Sequence, residues 1–278
     1  MTEWKKTPDG IEIPPPGPDD VLYDASDGIA RITMNRTVVL NALNKNMQRL
    51  LSAALDRAEA DDDVNVVVLT GAGRAFCAGG DLYSSLYPDD EPAPSGTEVQ
   101  LRIWGFAKPV IAAVRGHAVG QGCELAGVCD ITIASDNAKL GEIQIRHGFG
   151  PPTLITPFLL GMKQAKEVLL LGELLDAEEA LRLGLVNRVV PDDEFDDAVE
   201  SMARKLAALP QGTVRHNKAL INRSYELAGF REALAYGQDE AMRELAPEGR
   251  AGVLGELTEG GWEAFKGKRD EMYSAESN

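Results

Sequence analysis

Two apolar runs, each followed by glycines, constrain the fold of this chain more than any other feature. Val66 to Leu69 leads into Gly71 and Gly73, and Val110 to Val114 leads into Gly116. Short runs that are apolar throughout are typical of strands buried on both faces, as in parallel sheets covered by helices. Because helical patterns alternate with these runs, the sequence predicts an α/β fold.

Local patterns place the remaining elements. They predict a hairpin of Val21 to Tyr23 and Ile29 to Met34 around Asp27-Gly28, a helix from Met47 to Ala58, a small-residue helix from Gln121 to Gly127, and a strand from Ile131 to Ala134. Asp176 and Glu179 form a capping-box-like start for a helix that Gly184 ends. From about residue 195 onward the pattern is helical.

Three regions follow from these patterns. Pro14, Pro15, Pro16 and Pro18 predict that residues 1–20 form an extended, proline-rich arm. Residues 21–195 form the α/β core. Residues 196–278 form a helical region that packs against neighbouring subunits.

Composition limits the partners. The 278 residues include 28 basic and 44 acidic side chains, a net charge of −16, so nucleic acid and anionic membrane surfaces are poor partners. Three cysteines and an opening that does not resemble a signal peptide favour a reducing cytoplasm. No apolar run is long enough to span a bilayer, and no cysteine has close metal-ligand partners, so we expect no metal site.

The glycine-rich turns do not match nucleotide-binding motifs. Gly71-x-Gly73 fails the dinucleotide fingerprint at Phe76, Gly120-x-Gly122 fails it at Leu125, and no Gly-Lys-Ser/Thr phosphate loop is present. Two loops that each open a helix can instead direct backbone N–H groups at one carbonyl oxygen and stabilise an enolate. The alternative is that these glycines only form turns and allow close helix packing.

Several ordered blocks resemble the crotonase superfamily, the enoyl-CoA hydratase and isomerase enzymes. They are Asn35-Arg36 with Leu40-Asn41-Ala42-Leu43, Ala75 to Leu82, Lys108 to Gly116, Gly120 to Ala126, Cys129-Asp130-Ile131 and Ala177 to Asn187. The resemblance implies a spiral of ββα units, a helical C-terminal region that assembles homotrimers or hexamers, and an acyl-CoA thioester substrate. It implies no cofactor beyond the CoA moiety of that substrate.

The resemblance also assigns roles to residues. The thioester oxygen is expected between the N–H groups of Gly80 and Gln121, although the family usually has glycine at the second position. CoA contacts map to Val39, Ala42, Ala78, Asp81, Leu82, Phe265 and Lys268. The family usually has Pro-Lys before the Leu-Asn-Ala block, where this chain has Thr37-Val38, so one lysine contact to the CoA phosphates is missing. Lys268, Arg269 and Arg36 could offset that loss.

Hydratase-like members of the superfamily use two glutamates, and only the first is in place. It maps onto Glu124, whereas the second position is Gln144, whose amide cannot exchange a proton at pH 7. Glu142 and His147 are possible substitutes. An extended segment would hold Glu142 about 6–7 Å from Gln144, which argues against Glu142, and a structural histidine is the simpler interpretation of His147.

These observations predict an acyl-CoA-processing enzyme in which Glu124 is the principal acid/base and Gln144 orients water or substrate. Enoyl-CoA hydratase, a lyase of fatty acid metabolism, is the first choice. The alternatives are another enolate reaction, such as isomerisation, racemisation or C–C hydrolysis, and a non-catalytic CoA-binding homologue.

Overall fold

A six-stranded and a four-stranded sheet form the centre of the molecule. The computed structural model describes residues 4–148, 150–238, 257 and 259–267. The described strands are β1 Lys5–Lys6, β2 Glu12–Ile13, β3 Val21–Ser26, β4 Ile29–Met34, β5 Val66–Gly71, β6 Ala75–Cys77, β7 Val110–Val114, β8 His117–Val119, β9 Ile131–Ser135, β10 Lys139–Gly141, β11 Leu175–Asp176 and β12 Arg188–Val190. β1 and β2 pair with each other within the N-terminal arm, and Ile13 is buried.

The helices cover the outside of these sheets. They are α1 Lys45–Ala60, α2 Gly96–Trp104, α3 Gln121–Gly127, α4 Thr156–Leu159, α5 Met162–Leu171, α6 Ala177–Leu183, α7 Phe195–Ala207, α8 Gln211–Leu227 and α9 Phe230–Gln238, followed by helical residues at 259–267. Short 3₁₀ helices connect several elements. No described helix is long and apolar enough to cross a bilayer.

The larger sheet has six strands in the order β12-β9-β7-β5-β4-β3, parallel except for the β3–β4 hairpin. The smaller sheet has the order β11-β10-β8-β6, with β6, β8 and β10 parallel. The chain passes repeatedly from a strand of the large sheet into one of the small sheet: β5 to β6, β7 to β8 and β9 to β10. This repeated strand–strand–helix path confirms the predicted α/β spiral.

The core lies between these layers. One apolar cluster includes Ile32, Leu51, Leu69 and Phe76, and a second packs the other face of the large sheet against α7 through Phe195. The strand at Val110–Val114 is buried throughout, as an apolar run predicts. Because strands β6 and β8 are parallel, the residues that follow them emerge at the same edge, and the site is built there.

Candidate active site

Helix α3 carries Glu124 into the interior beside strand β6. It begins after Gly120, whose backbone is left-handed (φ 56°). A Cβ on Gly122 would lie 2.2 Å from the Cys77 carbonyl oxygen, so the helix contacts the β6 backbone more closely than any side chain would allow. This close packing places Glu124 in the protein interior, with a fully buried side chain.

Three N–H groups hold the Glu124 carboxylate. Gln144 Nε2 and the Thr153 backbone N–H donate to Oε1 at 3.1 and 3.3 Å. Gln100 Nε2 donates to Oε2 at 3.4 Å and also to the Gln121 carbonyl oxygen at 3.1 Å. The carboxylate therefore has a fixed orientation.

A second buried carboxyl, that of Glu142, lies on the other side of Gln144. Gln144 Nε2 donates to Glu142 Oε2 at 2.8 Å, and Thr156 Oγ1 donates to Oε1 at 2.8 Å. The prediction of an extended segment is wrong here: Ile143–His147 form a 3₁₀ helix that ends at Gly148 in the left-handed region (φ 69°). The turn brings the Glu142 and Gln144 side chains into contact.

Burial governs the protonation of this cluster. It raises the pKa of Glu142 to about 7, and burial together with the adjacent Glu142 carboxyl raises the pKa of Glu124. The pKa of the Cys123 thiol, which is also buried, is raised so far that the thiol stays neutral. Among the described residues, no group of three or more His, Cys, Asp or Glu side chains is placed to hold a metal ion.

Two backbone N–H groups, those of Gly80 and Gln121, belong to the loops next to Glu124. Within the described part of the chain, the N–H groups of Gly80 and Gln121 donate to no protein acceptor. The two loops approach closely, since a Cβ on Gly79 would lie 3.3 Å from the Gln121 nitrogen. The Gln121 side chain fills the space between the loop and α2: Cβ atoms built on Gly80 and Gly96 would lie 3.5 and 3.2 Å from its Oε1. The Gln121 side chain therefore narrows the space beside the Gly80 and Gln121 N–H groups.

Most residues predicted to contact CoA lie in two segments, 36–42 and 78–82, which hydrogen bonds join to each other. Arg36 Nη1 donates to Asp81 Oδ2 and to the Ala42 carbonyl, both at 2.8 Å. The Ala78 N–H donates to the Leu40 carbonyl at 2.9 Å. The Asp81 carboxylate is therefore engaged by protein groups. The remaining members of this set, Val39 and Leu82, are partly buried in the same two segments.

The C-terminal aromatic residue Phe265 packs against the 3₁₀ helix that carries Gln144. Phe265 is buried, and its ring centroid lies 4.9 Å from that of His147, which is itself buried on the 3₁₀ helix. His147 is thus packed against an aromatic ring. Lys268 and Arg269 lie outside the described residues.

A basic pocket of about 370 Å³ lies at the other end of strands β6 and β8. Its lining contains no member of the Glu124 cluster. It is formed by Leu40, Arg74, Arg115, Gly116, His117 and Asn137. Burial, together with Arg74 and Lys139, lowers the pKa of His117, so the positive charge of this pocket resides on its arginines and Lys139.

Sequence reasoning missed the hydroxyl and amide groups around Glu124. Thr153 Oγ1 donates to Gln100 Oε1 and lies 2.9 Å from Thr97 Oγ1. Gln238, the last residue of α9, donates to Thr97 Oγ1 at 3.2 Å and to the Pro152 carbonyl. The one available signal was Gln100, a polar residue on the same helix face as Val99 and Ile103, which are buried.

Similar proteins are numerous. A family model described as Enoyl-CoA hydratase/isomerase matches residues 24–249. A probable enoyl-CoA hydratase, echA8, of Mycobacterium tuberculosis is 34% identical over 225 residues, which is 78% of this chain and 86% of that protein. A short-chain-enoyl-CoA hydratase of Clostridium acetobutylicum is 35% identical over 235 residues, or 81% and 89% of the two chains.

Solved structures agree with this result. The crystal structure of an enoyl-CoA hydratase/isomerase from Xanthobacter autotrophicus Py2 superposes with a TM-score of 0.85 at 35% identity and covers 91% of this chain and 98% of that one. A probable enoyl-CoA hydratase from Mycobacterium thermoresistibile gives a TM-score of 0.74 at 32% identity, with 84% and 98% covered. The likeness therefore extends over nearly the whole length of each structure.

Proposed function

The chain belongs to the enoyl-CoA hydratase/isomerase family, and we propose that it adds water to a 2-enoyl-CoA thioester with Glu124 as the acid/base. One observation carries the proposal: the buried Glu124 carboxylate on α3 lies one helical turn from the Gln121 N–H, which has no acceptor in the described part of the chain. A carbonyl oxygen held by this group and by the Gly80 N–H would have its reacting carbons close to Glu124.

The proposed reaction proceeds through an enolate. The water oxygen bonds to C3, and the C2–C3 π electrons move toward the thioester oxygen, where the N–H groups of Gly80 and Gln121 stabilise the negative charge. Glu124 takes one proton from the water and returns it to C2, so the product is a 3-hydroxyacyl-CoA and Glu124 is regenerated.

Gln144 orients the water in this proposal. Its Oε1 is buried and has no hydrogen-bond partner among the described residues, while its Nε2 donates to Glu124 and Glu142. An amide oxygen in that state is an acceptor for an O–H group. The amide does not itself exchange a proton.

We assign the phosphate end of CoA to the basic pocket at Arg74. Leu40 lines this pocket and also receives the Ala78 N–H bond that joins the two CoA-contacting segments. Arg115 is already paired with Asp192 at 2.7 Å. Arg74 is exposed and enters no ion pair within the described residues, so its charge is available to an anionic ligand.

Assembly and location are further parts of the proposal. Exposed apolar side chains occur on α5 at Leu170 and on α8 at Leu220 and Ile221, and their burial favours a homotrimer or hexamer. Cys77, Cys123 and Cys129 are unpaired, which suits a reducing cytoplasm. The proposed reaction fits fatty acid metabolism.

A second candidate is an enolate reaction that needs one carboxylate, such as isomerisation, racemisation or C–C hydrolysis. It is favoured by one observation: Gln144 occupies the position at which the superfamily resemblance places a second glutamate, and an amide cannot exchange a proton at pH 7. A CoA-binding protein without catalysis is the remaining alternative.

The test is an assay of the purified protein with 2-enoyl-, 3-enoyl- and 3-hydroxyacyl-CoA esters. We expect hydration of a 2-enoyl-CoA, and a loss of roughly 10²–10⁴ in kcat for Glu124→Gln. Glu178→Gln, the same change on an exposed helix carboxylate, serves as the matched control. Hydration that survives Glu124→Gln would exclude the mechanism, and turnover of another ester alone would favour the second candidate. Binding of CoA without turnover of any ester would favour the non-catalytic alternative.

A further inference from the structure

Glu124 and Glu142 form a buried pair of carboxyls joined by one amide group. Gln144 Nε2 lies 3.1 Å from Glu124 Oε1 and 2.8 Å from Glu142 Oε2. The two glutamates are 0% and 2% exposed. Two carboxylates this close and this far from water cannot both be ionised at neutral pH at reasonable cost, so the pair retains one proton.

Within the residues that the structure describes, no positively charged side chain lowers the pKa of either carboxyl. Apart from each other, the titratable group that these carboxyls face is the thiol of Cys123, and its pKa is raised, so it stays neutral. The other contacts are the amides and hydroxyls already described. The position of the shared proton is therefore decided by the hydrogen-bond partners of each carboxyl.

The partners of the two carboxyls differ in kind. Glu124 is surrounded by N–H donors, which cannot accept a proton. The orientation of Gln100 is fixed, because its Nε2 also donates to the Gln121 carbonyl, and Thr153 contributes its backbone N–H. Glu142 Oε1 instead contacts Thr156 Oγ1 at 2.8 Å, and a hydroxyl oxygen can accept as well as donate.

We propose that Glu142 holds the single proton of this pair in the resting protein, with its O–H directed at Thr156 Oγ1, and thereby keeps Glu124 ionised and ready to accept a proton from water. In this state the Thr156 hydroxyl accepts the hydrogen bond that it donates when Glu142 is ionised. This inference rests on the proposed function of Glu124. Glu142 touches no substrate in this arrangement, and it is a positioning residue that sets the charge of Glu124 and fixes the Gln144 amide.

The location of the proton can be measured without any substrate. Infrared spectra of the intact protein, recorded at a pH below the pKa of about 7 of Glu142, should contain the C=O stretch of one buried protonated carboxyl. We expect Glu142→Gln to remove this band and Glu124→Gln to retain it. A band that disappears in Glu124→Gln and persists in Glu142→Gln, or a spectrum without such a band, would overturn the proposal.

Kinetics give a second, independent readout. Glutamine at position 142 resembles the protonated glutamate, so kcat/KM of Glu142→Gln should fall less than tenfold, and the alkaline limb of the pH profile that reports ionisation of Glu142 should disappear. An unchanged pH profile would indicate a purely structural residue. A loss as large as that of Glu124→Gln would indicate that Glu142 itself exchanges protons with the substrate.

Two further variants keep the test decisive if Glu142→Gln does not fold. Thr156→Val removes the proposed acceptor and should shift the infrared band, whereas Thr156→Ser keeps the hydroxyl and should leave the band in place. If both variants give the wild-type band, the proposal fails. A protein that hydrates no enoyl-CoA yet gives the expected infrared pattern would refute the proposed function and leave the proton assignment standing.

Discussion

Arg36 Nη1 lies 2.8 Å from Asp81 Oδ2, and the two side chains are only 2% and 3% exposed. This ion pair joins the loop that precedes α1 to the loop that carries Gly80. We expect Arg36→Ala to lower the free energy of unfolding by about 3–5 kcal/mol, because the Asp81 charge is left buried without a partner. The KM for an acyl-CoA substrate should rise as well.

Urea denaturation measures this effect, and Arg204→Ala is the control. Arg204 pairs with Glu200 on the protein surface, with its side chain 68% exposed. Removing that pair should change the free energy of unfolding by less than about 1 kcal/mol. Equal effects of the two variants would mean that the buried pair does not hold the loops together.

The contact of Gly122 with strand β6 gives a second prediction. A Cβ at this position would meet the Cys77 carbonyl oxygen at 2.2 Å, so Gly122→Ala must push α3 away from β6. We expect a loss of about 1–3 kcal/mol in stability. A fall of at least about tenfold in kcat should accompany it, because a misplacement near 1 Å already costs catalysis.

Gly212→Ala is the matched control for this variant. No described atom lies within 4 Å of a Cβ at Gly212, which is an exposed residue of helix α8. The alanine should leave kcat unchanged and keep or slightly raise the melting temperature. A Gly122→Ala protein with the wild-type kcat would show that the position of α3 is not critical.

The stability of the protein should depend on pH through Glu142. Its pKa is about 7 in the folded protein, against about 4.3 in the unfolded chain, so folding takes up a proton between these values. The stabilisation is complete below about pH 4.3 and is lost as the pH rises toward 7, with a slope of at most about 1.4 kcal/mol per pH unit.

Denaturation curves over this pH range, recorded for the wild type and Glu142→Gln, test the dependence. We expect the variant to lose part of the slope, since glutamine does not titrate. Glu178→Gln, at an exposed position, should keep it. Identical slopes for the wild type and Glu142→Gln would show that Glu142 ionises alike in both states.

The basic pocket predicts a local electrostatic contribution to CoA binding. We expect Arg74→Ala to raise the KM for an acyl-CoA several-fold with little change in kcat, and to weaken the dependence of KM on salt. Arg188→Ala removes an exposed arginine of β12 that is not part of the pocket, and it should change neither quantity. Equal KM values for the wild type and Arg74→Ala would place the CoA phosphates elsewhere.

The sequence predicts the parts of this molecule that are determined by local pattern. The strand at Val110–Val114 and the helix at Gln121–Gly127 have the predicted bounds, because an apolar run and a glycine-flanked small-residue segment leave few alternatives. The N-cap at Asp176 is likewise confirmed: its side chain accepts from the Glu179 N–H at 2.8 Å. Local hydrogen bonding suffices for each of these features.

The acidic cluster depends on distant contacts and could not be predicted in this way. The alternating residues from Glu142 to Arg146 indicate a strand. The structure has a 3₁₀ helix there instead, and its Ile145 side chain packs against Gly172, at the end of α5. Gln100 and Thr153 are 53 residues apart and meet only in the folded chain. No sequence pattern in either segment predicts the contact between Gln100 and Thr153.

The hydrogen bonds from Gln238 connect the C-terminal end of α9 to the surroundings of Glu124. The Gln238 amide donates to Thr97 Oγ1 and to the Pro152 carbonyl. Thr97 Oγ1 contacts the Thr153 hydroxyl, and the Thr153 backbone N–H donates to Glu124. A disturbance at the end of α9 therefore reaches Glu124, the proposed acid/base, through protein contacts alone. If neighbouring subunits hold this helix in place, specific activity should decline on dilution while the far-ultraviolet circular dichroism of each protomer remains native.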